Sequence, residues 1–242
     1  MSRPPAEGAV TEEPGHATTP ERASPDDART TGPSRLTSPD RVVALSDGVF
    51  AIVVTILVLE IAVPEGLSEQ SLRQVLEELR PTLVAWVVSF LITGMFWVAH
   101  RDLFSRVRSV NRDLVWLNLL FLLPVSLIPF AASVLGKYPD EPIALHLYGV
   151  VMIVATVART VLYWYVLRRP ALLWSDPGHQ HRRFALTLSA SPIIVYALAM
   201  AVADVSAPLS VALYFAVPVL YFLLVTRLRD RAGTRAEADE FT

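Results

Sequence analysis

The chain has 242 residues, 53% of them hydrophobic, with a formal net charge of −2. It is more apolar than a soluble domain of this size needs, and it has no basic arm or aromatic-interleaved basic patch, so nucleic acid is not expected as a partner. The absence of cysteine excludes disulfides, thiolate catalysis and zinc–cysteine sites.

Residues 1–40 hold seven prolines among Ser, Thr, Gly and mixed charges, without an apolar run. Such a segment cannot offset the entropy of ordering, so a disordered tail is expected there; it lacks the apolar core of a signal peptide. Ser38-Pro39-Asp40 then reads as a helix start, with Ser38 or Asp40 as N-cap. Six apolar blocks follow, at about 42–63, 81–99, 113–135, 143–167, 184–204 and 208–226, each long enough to cross a hydrocarbon layer of about 30 Å. Pro124, Pro129, Pro192 and Pro218 fall inside blocks, where neighbouring helices can satisfy the carbonyls they free. Between the first two blocks, "SLRQVLEELR" (71–80) has helical apolar spacing on a charged background and predicts a separate short outer or interfacial helix.

The connections alternate in charge. "HRDLFSRVRSVNR" and "RRPALLWSDPGHQHRR" carry four arginines each, and the segment after the last block begins "RLRDR". The other connections, such as "GKYPDEP" and "DVSAP", are acidic or nearly bare. All basic connections fall on one side if the spans number six, which places both termini in the cytoplasm. The expected architecture is an all-α membrane protein: a cytoplasmic tail (1–40), a six-helix transmembrane domain (41–227) and a second cytoplasmic tail (228–242).

The first block, "RVVALSDGVFAIVVTILVLEI" (41–61), is unusual for a membrane helix because Arg41, Ser46 and Asp47 crowd one end. Projected at 100° per residue, Ile52, Ile56, Leu59 and Val63 share a stripe, with Thr55 beside it and Leu45 on its extension. Asp47 lies about 140° from Ile52 by the same arithmetic. An ionised residue inside a span faces the bundle interior or water and has a partner. Arg41 is the nearest in sequence; Trp97, His100 and Asn118 sit at matching depth. Such a cluster can tie helix ends together or act directly, and both readings stay open. On composition alone the Ile/Leu stripe reads as packing before it reads as a pore.

"RVVALSDGVFAIVVTILVLEIAVPE" resembles the first-helix signature of the bacterial relatives of the endolysosomal potassium channel called transmembrane protein 175: an Arg, three residues, then Phe-Ser-Asp, usually followed by Gly. Here Leu45 stands where the family has Phe. "FWVAHRDLF" (96–104) and "WLNLLFLLPVSLIPF" (116–130) look like the second and third helices of the same family. The resemblance implies a potassium-permeable channel, a homotetramer whose pore is lined by the first helix of each subunit. Ile52 would form the tightest hydrophobic ring, Ile56 and Leu59 would follow, and Thr55 would bear on the preference for potassium. Arg41, Ser46, Asp47, Trp97, His100 and Asn118 would form a structural polar network behind the pore. The chain would be a multi-pass protein of the cell membrane, needing no cofactor and taking potassium, with other monovalent cations as further candidates, as permeant species. No "TVGYG"-like segment is present, so a carbonyl-lined filter loop is excluded.

Weaker signals remain. "HQH" (179–181) reads as solvated rather than as a metal site. Glu60 could attract cations at the outer mouth or only mark the interface; Glu141 and Asp204 read as loop charges. Arg159, inside the fourth block, needs a partner across the bundle or a route to the interface. Nothing groups Ser, His and Asp, or pairs carboxylates, as an enzyme would. Two rivals to the channel are a proton-coupled secondary transporter using Asp47 and His100, and a non-conducting membrane scaffold.

Overall fold

The computed structural model describes residues 38–61, 72–175 and 178–240, with the backbone alone described from 224 onward. The tail expected over 1–40 lies almost wholly outside these residues, as does Val63. The described residues form, in order, the α-helices α1 (Asp40–Leu59), α2 (Leu72–Phe104), α3 (Arg112–Ser126), α4 (Ile128–Lys137), α5 (Pro142–Leu167), α6 (Gly178–Ala190), α7 (Pro192–Ala203) and α8 (Ala207–Glu240). Among the described residues, five stretches are long and apolar enough to span a membrane: Asp40–Leu59, Arg73–Phe104, Arg112–Lys137, Pro142–Leu167 and Arg182–Ala203. A sixth, Ala207–Leu223, is apolar but shorter. The protein is therefore a multi-pass membrane protein.

The prolines act differently from place to place. Pro39, not Ser38 or Asp40, takes the N-cap position of α1, and it makes no side-chain cap. Segment 71–80 is not a separate helix either: α2 is continuous from Leu72 to Phe104 with Pro81 inside it. The helix is held on both sides of the proline. Before it, Arg73 and Glu77 pair at 3.1 Å one turn apart. After it, Thr82 donates to the Gly136 carbonyl of α4 at 3.3 Å, and a Cβ at position 136 would stand 2.9 Å from the Thr82 Cα. Glycine lets the two backbones meet there, and the tertiary contact overrides the local preference against helix before a proline.

The third span divides at Leu127. Pro129 occupies the first turn of α4, where no N–H is required, and the Leu127 N–H turns back to the carbonyls of Pro124 and Val125. The fifth span divides at Ser191. Pro192 has no N–H to offer the Leu188 carbonyl, and the Ser191 hydroxyl donates to it instead at 3.1 Å. The next carbonyl, Ser189, accepts from Arg159 Nη2 at 2.8 Å.

Arg159 is thus a tie across the bundle and not a residue reaching for the interface. It is buried, and its guanidinium lies 5.6 Å from the Phe96 ring centroid and 6.0 Å from that of Tyr163. A backbone carbonyl and two ring faces do the work that a carboxylate would do elsewhere. Arg159→Met should keep most of the packing and remove the donor, lowering stability by about 1–3 kcal/mol. Thermal unfolding in detergent measures this; melting together with the wild type would mean that the Ser189 carbonyl has found another donor.

α2 packs on α4, α3 on α5, α5 on α7 and α7 on α8, while α1 leans on α2, α3 and α4. The α5–α7–α8 corner closes on three buried tyrosines. Tyr148 and Tyr214 meet edge-on with centroids 5.0 Å apart. Tyr148 shares a hydrogen bond with Ser89 of α2, and Tyr214 donates to the Leu145 carbonyl. Gly149 makes this approach possible, because a Cβ there would come within 2.5 Å of the Tyr214 hydroxyl.

Candidate functional site

α1 has two unlike faces. Val42, Ser46, Phe50, Val53 and Leu57 are buried, and their spacing of three and four makes one stripe down the helix. On the other side Leu45 is 50% exposed, Ile52 58%, Ile56 39% and Leu59 76%. Only 28% of this span is buried within the chain, against 61% of the third span. Thr55 is exposed on the same open side, and its hydroxyl is within 3.0 Å of the Ala51 carbonyl and 2.9 Å of the Ile52 carbonyl. Its proton is engaged by the helix backbone, and the hydroxyl oxygen keeps its capacity to accept.

Behind the buried stripe three of the expected network residues meet. His100 Nε2 lies 2.8 Å from Asn118 Oδ1, Asn118 Nδ2 donates to Ser46 Oγ at 2.9 Å, and Ser46 donates to the Val42 carbonyl at 2.9 Å. The amide oxygen can only accept, so Nε2 carries the proton. Every donor in the chain points toward α1, and the relay fastens α2 and α3 to it. All three side chains are buried, which makes each of these bonds one that is expensive to leave unmade.

The other three network residues are placed apart from this relay. Asp47 is exposed on one chain and accepts a hydrogen bond from Trp97 Nε1 at 2.9 Å, so of its four candidate partners the indole takes it. Arg101 stacks over the same indole with its guanidinium 5.5 Å from the ring centroid. Arg41 is exposed, and among the described residues it forms no ion pair.

Sequence reasoning missed the aromatic setting of His100. Its ring stacks on Phe104 with centroids 4.4 Å apart and on Phe121 at 5.9 Å, and Phe50 closes from α1 at 5.9 Å. The signal was present as Phe50 four residues beyond Ser46 and Phe104 four beyond His100, positions that share a helix face. At the far end of the bundle Asp204 is more than a loop charge, since His146 Nε2 lies 3.7 Å from its carboxylate. No group of three or more metal-ligating side chains occurs among the described residues; the side chains of His179 and His181 lie outside them.

Comparison with known proteins identifies the family. The family described as "Endosomal/lysosomal potassium channel TMEM175" matches residues 41–129, which hold α1, the relay and the open stripe. A potassium channel of Streptomyces collinus is 36% identical over 188 residues, covering 75% of this chain and 90% of that one. The human protein named "Endosomal/lysosomal proton channel TMEM175" is 27% identical over 187 residues, 77% of this chain but 36% of the human one. Among solved structures, a lysosomal potassium-selective channel TMEM175 homolog from Chamaesiphon minutus superposes with a TM-score of 0.68 at 27% identity, covering 76% of this chain and 96% of that one. These relatives are ion channels, not enzymes, and this chain belongs to the TMEM175 family of membrane cation channels.

Proposed function

We propose that the chain is the subunit of a homotetrameric, potassium-permeable channel of modest selectivity in the cell membrane, with α1 of each copy lining the pore and both termini in the cytoplasm. One observation carries the reading: the apolar stripe of Leu45, Ile52, Ile56 and Leu59 is open, while the opposite face of the same helix is fastened to α2 and α3. Four such stripes around an axis make a ring of isoleucines that a cation passes only by shedding water. A ring of that kind is both a dewetting gate and a hydration sieve. Potassium holds its water less tightly than sodium and loses less on entry. In this reading Ile52 is the narrowest ring, Ile56 and Leu59 lie outward of it, and the hydroxyl oxygen of Thr55 steadies a partly dehydrated ion. Arg41, Ser46, Asp47, Trp97, His100 and Asn118 hold the helix in phase.

The Asp47–His100 proton path of a secondary transporter has less support, because the hydrogen bonds of these residues lead to Trp97 and to Asn118 and do not join them. A single helix cannot enclose a pore, so several copies must surround an axis. Mass measurement of the detergent-solubilised protein should give four chains, and a bilayer recording with potassium opposite sodium should reverse away from zero. A stable monomer, or a silent bilayer at full incorporation, defeats the reading.

A further inference from the structure

At the end of the bundle where α2 enters, α4 finishes and α8 begins, two cavities run into one another. The first, about 280 Å³, lies among Pro81, Leu135 and Val211 with Arg80 and Asp140 at its rim. The second, about 480 Å³, shares Arg80, Val84 and Val211 with it and continues past Val88 to Phe215. The wall positions 80, 84 and 88 on α2, and 208, 211 and 215 on α8, recur at helical spacing, so the space is a groove along both helices for about two turns, roughly 11 Å. Below its rim none of the described lining residues carries a polar side chain.

The rim is different in kind. Arg80 and Asp140 are both exposed and of opposite sign, and among the described residues neither takes part in an ion pair. They line one cavity with opposite charges. Arg80 also stands 17 residues before Trp97 on the same helix, about 26 Å along its axis. That is close to the thickness of a hydrocarbon layer, so the rim lies at headgroup level in the leaflet opposite the Trp97–Arg101 pair.

We propose that this groove is a site for a zwitterionic phospholipid with a primary amine, of the phosphatidylethanolamine class. Arg80 takes the phosphate, for which its planar fork is suited. Asp140 accepts from the ammonium, which has three N–H donors where a trimethylammonium has none. One acyl chain lies between Val84, Val88, Val211 and Phe215. The charge pattern selects against an anionic lipid, whose headgroup would meet Asp140 without a cation to offset it.

Native mass spectrometry of the full-length protein in detergent, titrated with phosphatidylethanolamine and with phosphatidylglycerol, tests the site. Wild type should bind the ethanolamine lipid more tightly. Arg80→Gln should weaken it about tenfold, as expected for loss of a charge-assisted bond. Asp140→Asn should abolish the preference by weakening the ethanolamine lipid and strengthening the glycerol lipid. Val84→Trp should block both. Equal binding of the two lipids by wild type, or a preference untouched by both rim substitutions, overturns the proposal. A second copy of the chain is the competing occupant. The chain has no cysteine, so Val84→Cys and Val211→Cys give clean single-site reporters; disulfide-linked dimers from them would show a subunit interface there and also overturn the lipid site.

Discussion

Ile52→Asn should carry more cation current than the wild type and bring the bi-ionic reversal potential toward zero. Four substituted side chains would converge on the axis, each adding an amide to a ring that was wholly apolar. The constriction would wet, and partly hydrated ions would find oxygen ligands. Sodium should gain more than potassium, because sodium is held back by the larger dehydration penalty. A tenfold loss of preference corresponds to about 1.4 kcal/mol and to a shift of about 59 mV for a singly charged ion, well within reach of a bilayer recording. Val53→Asn is the control. Val53 is next to Ile52 in sequence, but it lies on the buried stripe, only 3% exposed. A polar group there should lower stability and leave the reversal potential of the surviving channels alone. A shift with Val53→Asn and none with Ile52→Asn would put the wrong face of α1 at the axis; no shift with either would remove α1 from the pore.

That control depends on the rotation of α1 about its axis, and this rotation was legible in the sequence. The 100° projection separates Ile52, Ile56 and Leu59 from Phe50, Val53 and Leu57, and the folded chain leaves the first set open and buries the second. Ser46, His100 and Asn118 were legible as polar residues at one depth. Their connection was not, because it depends on how three helices turn toward one another. Asp47 illustrates the limit: four partners were compatible with its position, and the indole of Trp97, fifty residues away, is the one that reaches it. The true length of α2 was hidden for another reason. Its first turns are charged, Pro81 resembles a boundary, and the contact that overrides the proline comes from Gly136 on another helix. Arg159 was visible as an intramembrane charge, but its acceptor is the backbone carbonyl of Ser189, thirty residues later on another helix. No composition or periodicity signal encodes a backbone group as a partner.

Asn118→Leu should cause the larger loss of stability among substitutions in the relay, and its effect should be repaired by a second change. The substitution keeps the heavy-atom count and branching but strips His100 Nε2 of its acceptor, while His100 Nδ1 already has no partner among the described residues. Ser46 loses a donor but keeps its own bond to the Val42 carbonyl, so most of the penalty falls on the imidazole. Hydrogen bonds between membrane helices average about 0.6 kcal/mol in double-mutant cycles and reach about 1.7. The higher end applies here because His100 and Asn118 are each only 1% exposed and water cannot substitute; leaving a buried donor unmade costs about 1–3 kcal/mol. Replacing both partners by apolar groups of similar shape can be nearly neutral, and His100 already sits among Phe50, Phe104 and Phe121. His100→Phe combined with Asn118→Leu should therefore recover more than half of the stability lost by Asn118→Leu alone, a coupling measured as the difference between the two single variants and the pair. Thermal unfolding in detergent reads that cycle, and bi-ionic recording of the same proteins should give one reversal potential throughout. Additive losses would mean that the two residues act independently. A changed ion preference in a variant of normal stability would place the relay on the permeation path instead of behind it.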